Sequence, residues 1–290
     1  MNILKLLSFF IIIFCADMSI FAQSDSLVLK DLVWDNDYPA GTSELFIPSA
    51  SVLLAGMIYK PNGNEKHPTL ILLHGFPGNE KNLDLAQVVR AHGWNVIYFN
   101  YRGAWGSQGK FSFKNCVEDA VNVVTYCNKY QDSLKIDTSN IVLFGHSMGG
   151  WVCLKSLEQL PQIKKGFALS TWNIYGDLKT IPDEKKLIEA ANNPDIFSNY
   201  FVLNSNNLEI FLPAFIELSY YKLATDAKSL SKKEIIMLDE HTGNIEVADS
   251  FKEMHLPYFD YQIWKTDHGF TNKRVSRSEE HTSELQSLRG

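Results

Sequence analysis

The stretch Ile141-Val142-Leu143-Phe144-Gly145-His146-Ser147-Met148-Gly149-Gly150 (IVLFGHSMGG) decides how this chain is read. Four apolar residues run without alternation, the pattern of a strand buried on both faces. A serine then stands between glycines, and Gly150-Trp151-Val152-Cys153-Leu154-Lys155-Ser156-Leu157 continues as an amphipathic helix. G-x-S-x-G alone arises by chance in roughly one chain in ten of this length, so its context has to carry the inference. Strand before and helix after is the context a nucleophilic serine needs. The glycines permit a sharp strand-to-helix turn, which lifts the hydroxyl above the sheet beside the positive end of the helix. The competing reading is a plain packing turn, which that context disfavours.

Outward from the serine, short apolar runs alternate with amphipathic ones. Residues 44–47 and 52–59 read as an antiparallel edge, and 69–73, 95–100 and 140–144 as buried strands. Residues 81–92 and 113–131 read as amphipathic helices, the second with Asp119, Asn122 and Asn128 off its apolar stripe. A strand at 166–169 precedes about sixty aromatic-rich, helical residues, 173–232, without a strand pattern. The sheet resumes at 234–238, followed by a helix near 246–254 and a strand at 258–264. The expected class is α/β: one domain over 24–276, a mostly parallel sheet with helices on both faces, and a helical insertion.

Of the 290 residues 45% are hydrophobic, enough for a substantial core, and the net charge is −6. No basic stripe is present to neutralise phosphates, so nucleic acid is not an expected partner. Residues 1–22 have one lysine, an apolar run and Ala22 before Gln23, the layout of a secretory signal. Asp17 interrupts the run before the roughly 20 residues a span requires. Export to a periplasmic or extracellular location, with no stable membrane anchor after cleavage, is the expectation. Residues 277–290 begin RSEEHTSELQS, which reads as a translated sequencing adaptor and is set outside the fold. Cys116, Cys127 and Cys153 have no framework spacing. The first two lie eleven apart on one expected helix, about 16 Å, too far for a bridge.

A serine hydroxyl needs a base to take its proton. His268 is best placed, in a short loop after the strand at 258–264, because catalytic groups in parallel sheets gather at strand carboxyl ends. His74 ends a different strand, and His146 adjoins the serine and cannot turn back onto it. The acid should end the preceding strand, where it orients the imidazole. Asp239 is the first carboxylate past the apolar run 235–238, Glu240 is the alternative one residue on, and Asp177 is a third candidate. The order Ser147, Asp239, His268 agrees with this reading. The oxyanion needs backbone donors, expected from Met148, after the serine, and Phe76, in the loop Leu73-His74-Gly75-Phe76-Pro77-Gly78. Pro77 has no N–H to offer. Neither H-E-x-x-H nor C-x-x-C occurs, and no metal or cofactor is expected.

HGFPGNEKNLDLA from His74 and NYRGAWGSQGKFSF from Asn100, with the serine motif and DHGF at His268, resemble the α/β-hydrolase superfamily. The likeness runs from Ser43 to Phe270 and is nearest to exported bacterial enzymes of the dienelactone-hydrolase and prolyl-oligopeptidase-like group. It implies a serine hydrolase that cleaves a small-molecule carboxylic ester through an acyl-enzyme, with Ser147, His268 and Phe76 in the matching positions. The group's acid sits in a G-x-x-D turn followed by a hydrophobic residue and proline. Here Thr242 or Gly243 would occupy its place, so the resemblance leaves Asp239 and Glu240 both open. A peptidase-like hydrolase and a non-catalytic binding protein on the same fold are the alternatives. The insertion at 173–232 stands either as a lid over the pocket or as packed scaffold.

Overall fold

A computed structural model describes residues 34–195 and 200–273. The expected leader at 1–22 and tail at 277–290 lie outside the described residues. The strands are β1 (Gly41–Ser49), β2 (Val52–Lys60), β3 (His67–Leu73), β4 (Asn95–Phe99), β5 (Ile136–His146), β6 (Lys165–Leu169), β7 (Glu234–Asp239) and β8 (Tyr258–Ile263). They form one sheet in the order β1-β2-β4-β3-β5-β6-β7-β8. The β1–β2 and β2–β4 pairs are antiparallel, and the rest of the sheet is parallel.

Parallel neighbours need crossovers, and these supply the two outer layers. Among the described residues the helices are α1 (Leu83–Ala91), α2 (Phe113–Lys129), α3 (Met148–Gln159), α4 (Ile174–Leu178), α5 (Glu184–Ala191), α6 (Asn207–Ile216) and α7 (Ile245–Glu253). Side chains of a strand alternate between faces, and both faces here are apolar. Ile71, Ile97 and Leu143 pack with α2 and α3 on one side, while Leu70, Val96, Val142 and Phe144 meet Leu85, Ala86 and Val89 of α1 on the other. Each such side chain, fully buried, stabilises the fold by about 1.5–3 kcal/mol. This two-sided demand explains why the central strands read as unbroken apolar runs. Cys116, Cys127 and Cys153 are free and buried within the first of these cores.

One expectation about α2 needs correction. Asp119 is not on a solvated face; it is fully buried. Its carboxylate accepts from Ser49 Oγ at 2.6 Å, from the Arg102 amide at 2.7 Å and from Arg102 Nε at 2.6 Å. Arg102 also pairs with Glu118 at 2.6 Å. Burial pushes the Asp119 carboxyl up, opposed by these donors, whereas the two carboxylates keep Arg102 protonated against its own desolvation. The two partners point in different senses. Because Ser49 and Arg102 direct three donors at it, Asp119 is the ionised member of a pair.

The insertion between β6 and β7 holds α4, α5, α6 and the 3-10 turns Leu218–Tyr221 and Leu223–Asp226. Asn206 and Glu209 form a capping box that starts α6. Its base is part of the main core: Tyr221 stacks on Trp151 of α3 with centroids 5.1 Å apart, and Asp226 meets Lys155 of α3 at 3.0 Å. A bridge between Ala104 and Leu203, with Trp105 N donating to Val202 O at 2.9 Å, ties it to the loop after β4.

Candidate active site

The turn at Ser147 takes the conformation its neighbours were expected to permit. Ser147 has φ 59° and ψ −122°, outside the usual regions for a residue with a Cβ. Its amide donates to Leu169 O at 2.8 Å, and its carbonyl accepts from Trp172 N at 3.0 Å, so β6 pins the turn. A Cβ on Gly149 would overlap the Leu73 carbonyl, and one on Gly75 would lie 2.9 Å from Ser147 Cβ. Glycine at both places lets the loop after β3 approach the serine. The need for Gly75 is a close-approach constraint that motif spacing does not express. Met148 opens α3, so its amide is one of the N–H groups with no acceptor inside the helix.

His268 lies in the loop after β8. Its Nδ1 stands 2.8 Å from Glu240 Oε1 and 2.8 Å from Ser170 Oγ, and the Ser170 hydroxyl donates to Glu240 Oε2. With Nδ1 held in this way, Nε2 is the ring nitrogen left to exchange a proton. His146 Nε2 donates to the His268 carbonyl at 2.9 Å, so the histidine beside the serine supports the loop. The neighbouring Asp267 accepts from Thr271 N at 2.6 Å and caps its own turn. Burial alone would raise the Glu240 carboxyl; hydrogen bonds from Ser170, His268 and its own backbone hold it below the ordinary glutamate range.

Of the two adjacent carboxylates it is therefore Glu240, not Asp239, that meets the imidazole. Asp239 is still in β7 and continues the row Ile235, Met237 into the first core. There it accepts from Thr171 N at 3.1 Å and Asn244 Nδ2 at 3.0 Å. Burial raises its carboxyl, against the pull of Asn244, His241, Thr171 and Tyr261. Glu240, first past the strand, takes the opposite side. Asp177, the third candidate, accepts from Trp172 Nε1 at 2.6 Å.

Ser147, His268, Ser170 and Phe76 line one cavity of about 780 Å³. Trp172, Tyr200 and Phe211 give it an aromatic wall, with Phe76 edge-on to Tyr200 at 4.6 Å between centroids. Lys179, Asp177, His241 and Glu246 line its polar part. Trp172, Lys179, Tyr200 and Phe211 all lie between β6 and β7, so the insertion contributes much of the wall. Behind the loop after β3, His74 Nδ1 donates to Gly75 O at 2.7 Å. Burial brings the His74 pKa down to about 4, opposed by that bond and aided by Lys81, so this histidine is neutral scaffold. Among the described residues no cluster of metal-ligating side chains occurs, and no helix is long and apolar enough to cross a membrane.

A family model described as the alpha/beta hydrolase fold matches residues 68–220 of this chain. Cutinase 1 of Thermobifida cellulosilytica is 26% identical over 149 residues, covering 49% of this chain and 54% of that protein. The acylaminoacyl peptidase of Pyrococcus horikoshii superposes with a TM-score of 0.64 at 17% identity, over 90% of this chain and 43% of that one. The esterase of Pyrobaculum calidifontis superposes with a TM-score of 0.62 at 14% identity, over 87% and 88% of the two chains. The chain spans about half or less of the length of the curated relatives it matches.

Proposed function

This chain belongs to the alpha/beta-hydrolase fold family, and on that premise we propose that it is a serine hydrolase cleaving a carboxylic ester through an acyl-enzyme. The observation that carries the proposal is the 2.8 Å contact between Glu240 and Nδ1 of His268, a residue that lines the same cavity as Ser147. In this reading His268 Nε2 takes the Ser147 proton as Oγ attacks the ester carbonyl carbon. Glu240 fixes the tautomer and stabilises the imidazolium that forms. The amides of Met148 and Phe76 receive the negative oxygen of the tetrahedral intermediate. One such donor contributes about 3–4 kcal/mol of transition-state stabilisation in enzymes where it has been removed. Collapse breaks the ester C–O bond, and His268 passes its proton to the leaving alcohol. Water then repeats the sequence on the acyl-serine and returns the free acid. Ser147→Ala should abolish labelling by a fluorophosphonate probe and lower kcat by about a millionfold, as in a triad that acts as a unit. Labelling that survives the substitution would remove the nucleophile assignment.

The resemblance to peptidases supplies a second reading on the same site. Short p-nitrophenyl esters compared with aminoacyl anilides separate the two, since an esterase leaves the anilides intact.

A further inference from the structure

We propose that Ser170 is a positioning residue for the catalytic imidazole, its hydroxyl closing a three-membered hydrogen-bonded ring with Glu240 and His268. The proposal rests on the triad reading above and adds a member to it. Ser170 follows β6 and is fully buried. Its hydroxyl has one proton, and this goes to Glu240 Oε2. Toward His268 Nδ1, 2.8 Å away, the oxygen can therefore only accept. Nδ1–H is then shared between Ser170 Oγ and Glu240 Oε1, which both stand 2.8 Å from it. Were Nδ1 bare, its lone pair would face the oxygens of Ser170 and Glu240 with no proton between them, so the ring closes only with Nδ1 protonated, which in a neutral imidazole leaves Nε2 bare. That is the tautomer a base acting on Ser147 requires.

The need for a second partner follows from geometry. The His268 side chain is 56% exposed, so packing does little to restrict its rotation. Glutamate is a long side chain with several torsions to fix, whereas serine has one. Ser170 is also held by its backbone, which has φ 50°, with its amide on Leu238 O at 2.6 Å. Leu169, the residue before it, accepts from the Ser147 amide. A non-glycine residue in the left-handed region, kept there between the nucleophile turn and β7, is strain held at a functional position.

The test uses Ser170→Ala and Ser170→Gly in the full chain, with p-nitrophenyl acetate as substrate. Both remove the hydroxyl, and glycine in addition relaxes the backbone at this φ. Both variants should keep KM while kcat falls roughly ten- to a hundredfold, the range over which supporting hydrogen-bond partners act at metal sites. A purely structural serine would lower the melting temperature and leave kcat in place. Wild-type kcat in either variant overturns the proposal, as does recovery in Ser170→Gly of activity lost in Ser170→Ala. A wild-type enzyme that neither hydrolyses the ester nor takes a fluorophosphonate label overturns the triad with it. An active wild type with unaffected variants removes Ser170 alone.

Discussion

Two clusters in this molecule are built from the same three parts, a serine, a carboxylate and a nitrogen base. Ser49, Asp119 and Arg102 form one, between the end of β1, α2 and the loop after β4. Ser170, Glu240 and His268 form the other, at the carboxyl ends of β6, β7 and β8. In each, the serine donates to the carboxylate and the base sits within 2.8 Å of it. They differ in solvent and in the base. Asp119 is completely buried and Arg102 only 10% exposed, while His268 is 56% exposed beside a cavity. A guanidinium cannot release its proton in a protein, so the first cluster can only hold. An imidazole can change charge near neutral pH, so the second can hold and react. Hydrogen-bond pattern therefore does not separate a structural clamp from the proposed catalytic one; the acidity of the base and its place beside a cavity do.

Neutralising the carboxylates at the end of β7 in place has the largest expected effect. Glu240→Gln should reduce kcat by about 10⁴-fold, the loss seen when a triad acid becomes its amide and the imidazole takes the wrong tautomer. Asp239→Asn, one residue away, should leave kcat within a few-fold of wild type, since its carboxylate faces Thr171 and Asn244. Steady-state rates on a short-chain ester read both. If the two substitutions exchanged their effects, Asp239 would be the acid and the pairing of Glu240 with His268 would be incidental.

In the first cluster the expected loss is in stability. Asp119→Ala removes three accepted hydrogen bonds and leaves the buried Arg102 guanidinium with the half-exposed Glu118 as its remaining carboxylate. Breaking a buried pair in this way destabilises a protein by about 3–5 kcal/mol, a fall in Tm on the order of 10 °C for a domain of this size. Calorimetry checks it. Because Arg102 anchors the loop that bridges to Leu203 of the insertion, ester KM should rise as well. A variant as stable as wild type would show that the clamp holds nothing the packing does not already hold.

How much of this was legible in the sequence depended on whether a feature is local. The central strands were, because burial on both faces leaves an unbroken apolar run. The placement of Ser147 and His268 just beyond strand ends was, because each follows a strand that the pattern marks. The choice between Asp239 and Glu240 was not, since it turns on which residue is last in β7, and a shift of one position reverses the face a side chain takes. Asp119 looked like a break in an apolar stripe because its partner, Arg102, lies on a different element. Ser170 carries no motif; only the convergence of three strand ends gives it neighbours. The insertion was legible as helical and aromatic, and Tyr200 and Phe211 of it line the cavity, yet their positions on that wall follow from tertiary packing.

The smallest effect is in the pH dependence of stability, and there the clusters should move in opposite directions. The Glu240 carboxyl is held below its ordinary value. Its contribution is therefore present above the unfolded pKa and is lost as pH falls through the folded one. Asp119 is raised by burial, so its contribution is present below the unfolded pKa and is lost as pH rises through the folded one. His74, depressed to about 4, binds a proton more readily in the unfolded chain and makes every variant less stable as pH falls below about 6.5. Difference curves against wild type cancel that common slope. Melting temperatures measured from neutral pH to pH 4 should show Glu240→Gln losing less than wild type on acidification, and Asp119→Asn losing more. Two difference curves of the same sign would mean that the two carboxylates sit in electrostatically equivalent surroundings, and the distinction between a holding cluster and a reacting one would then rest on the base alone.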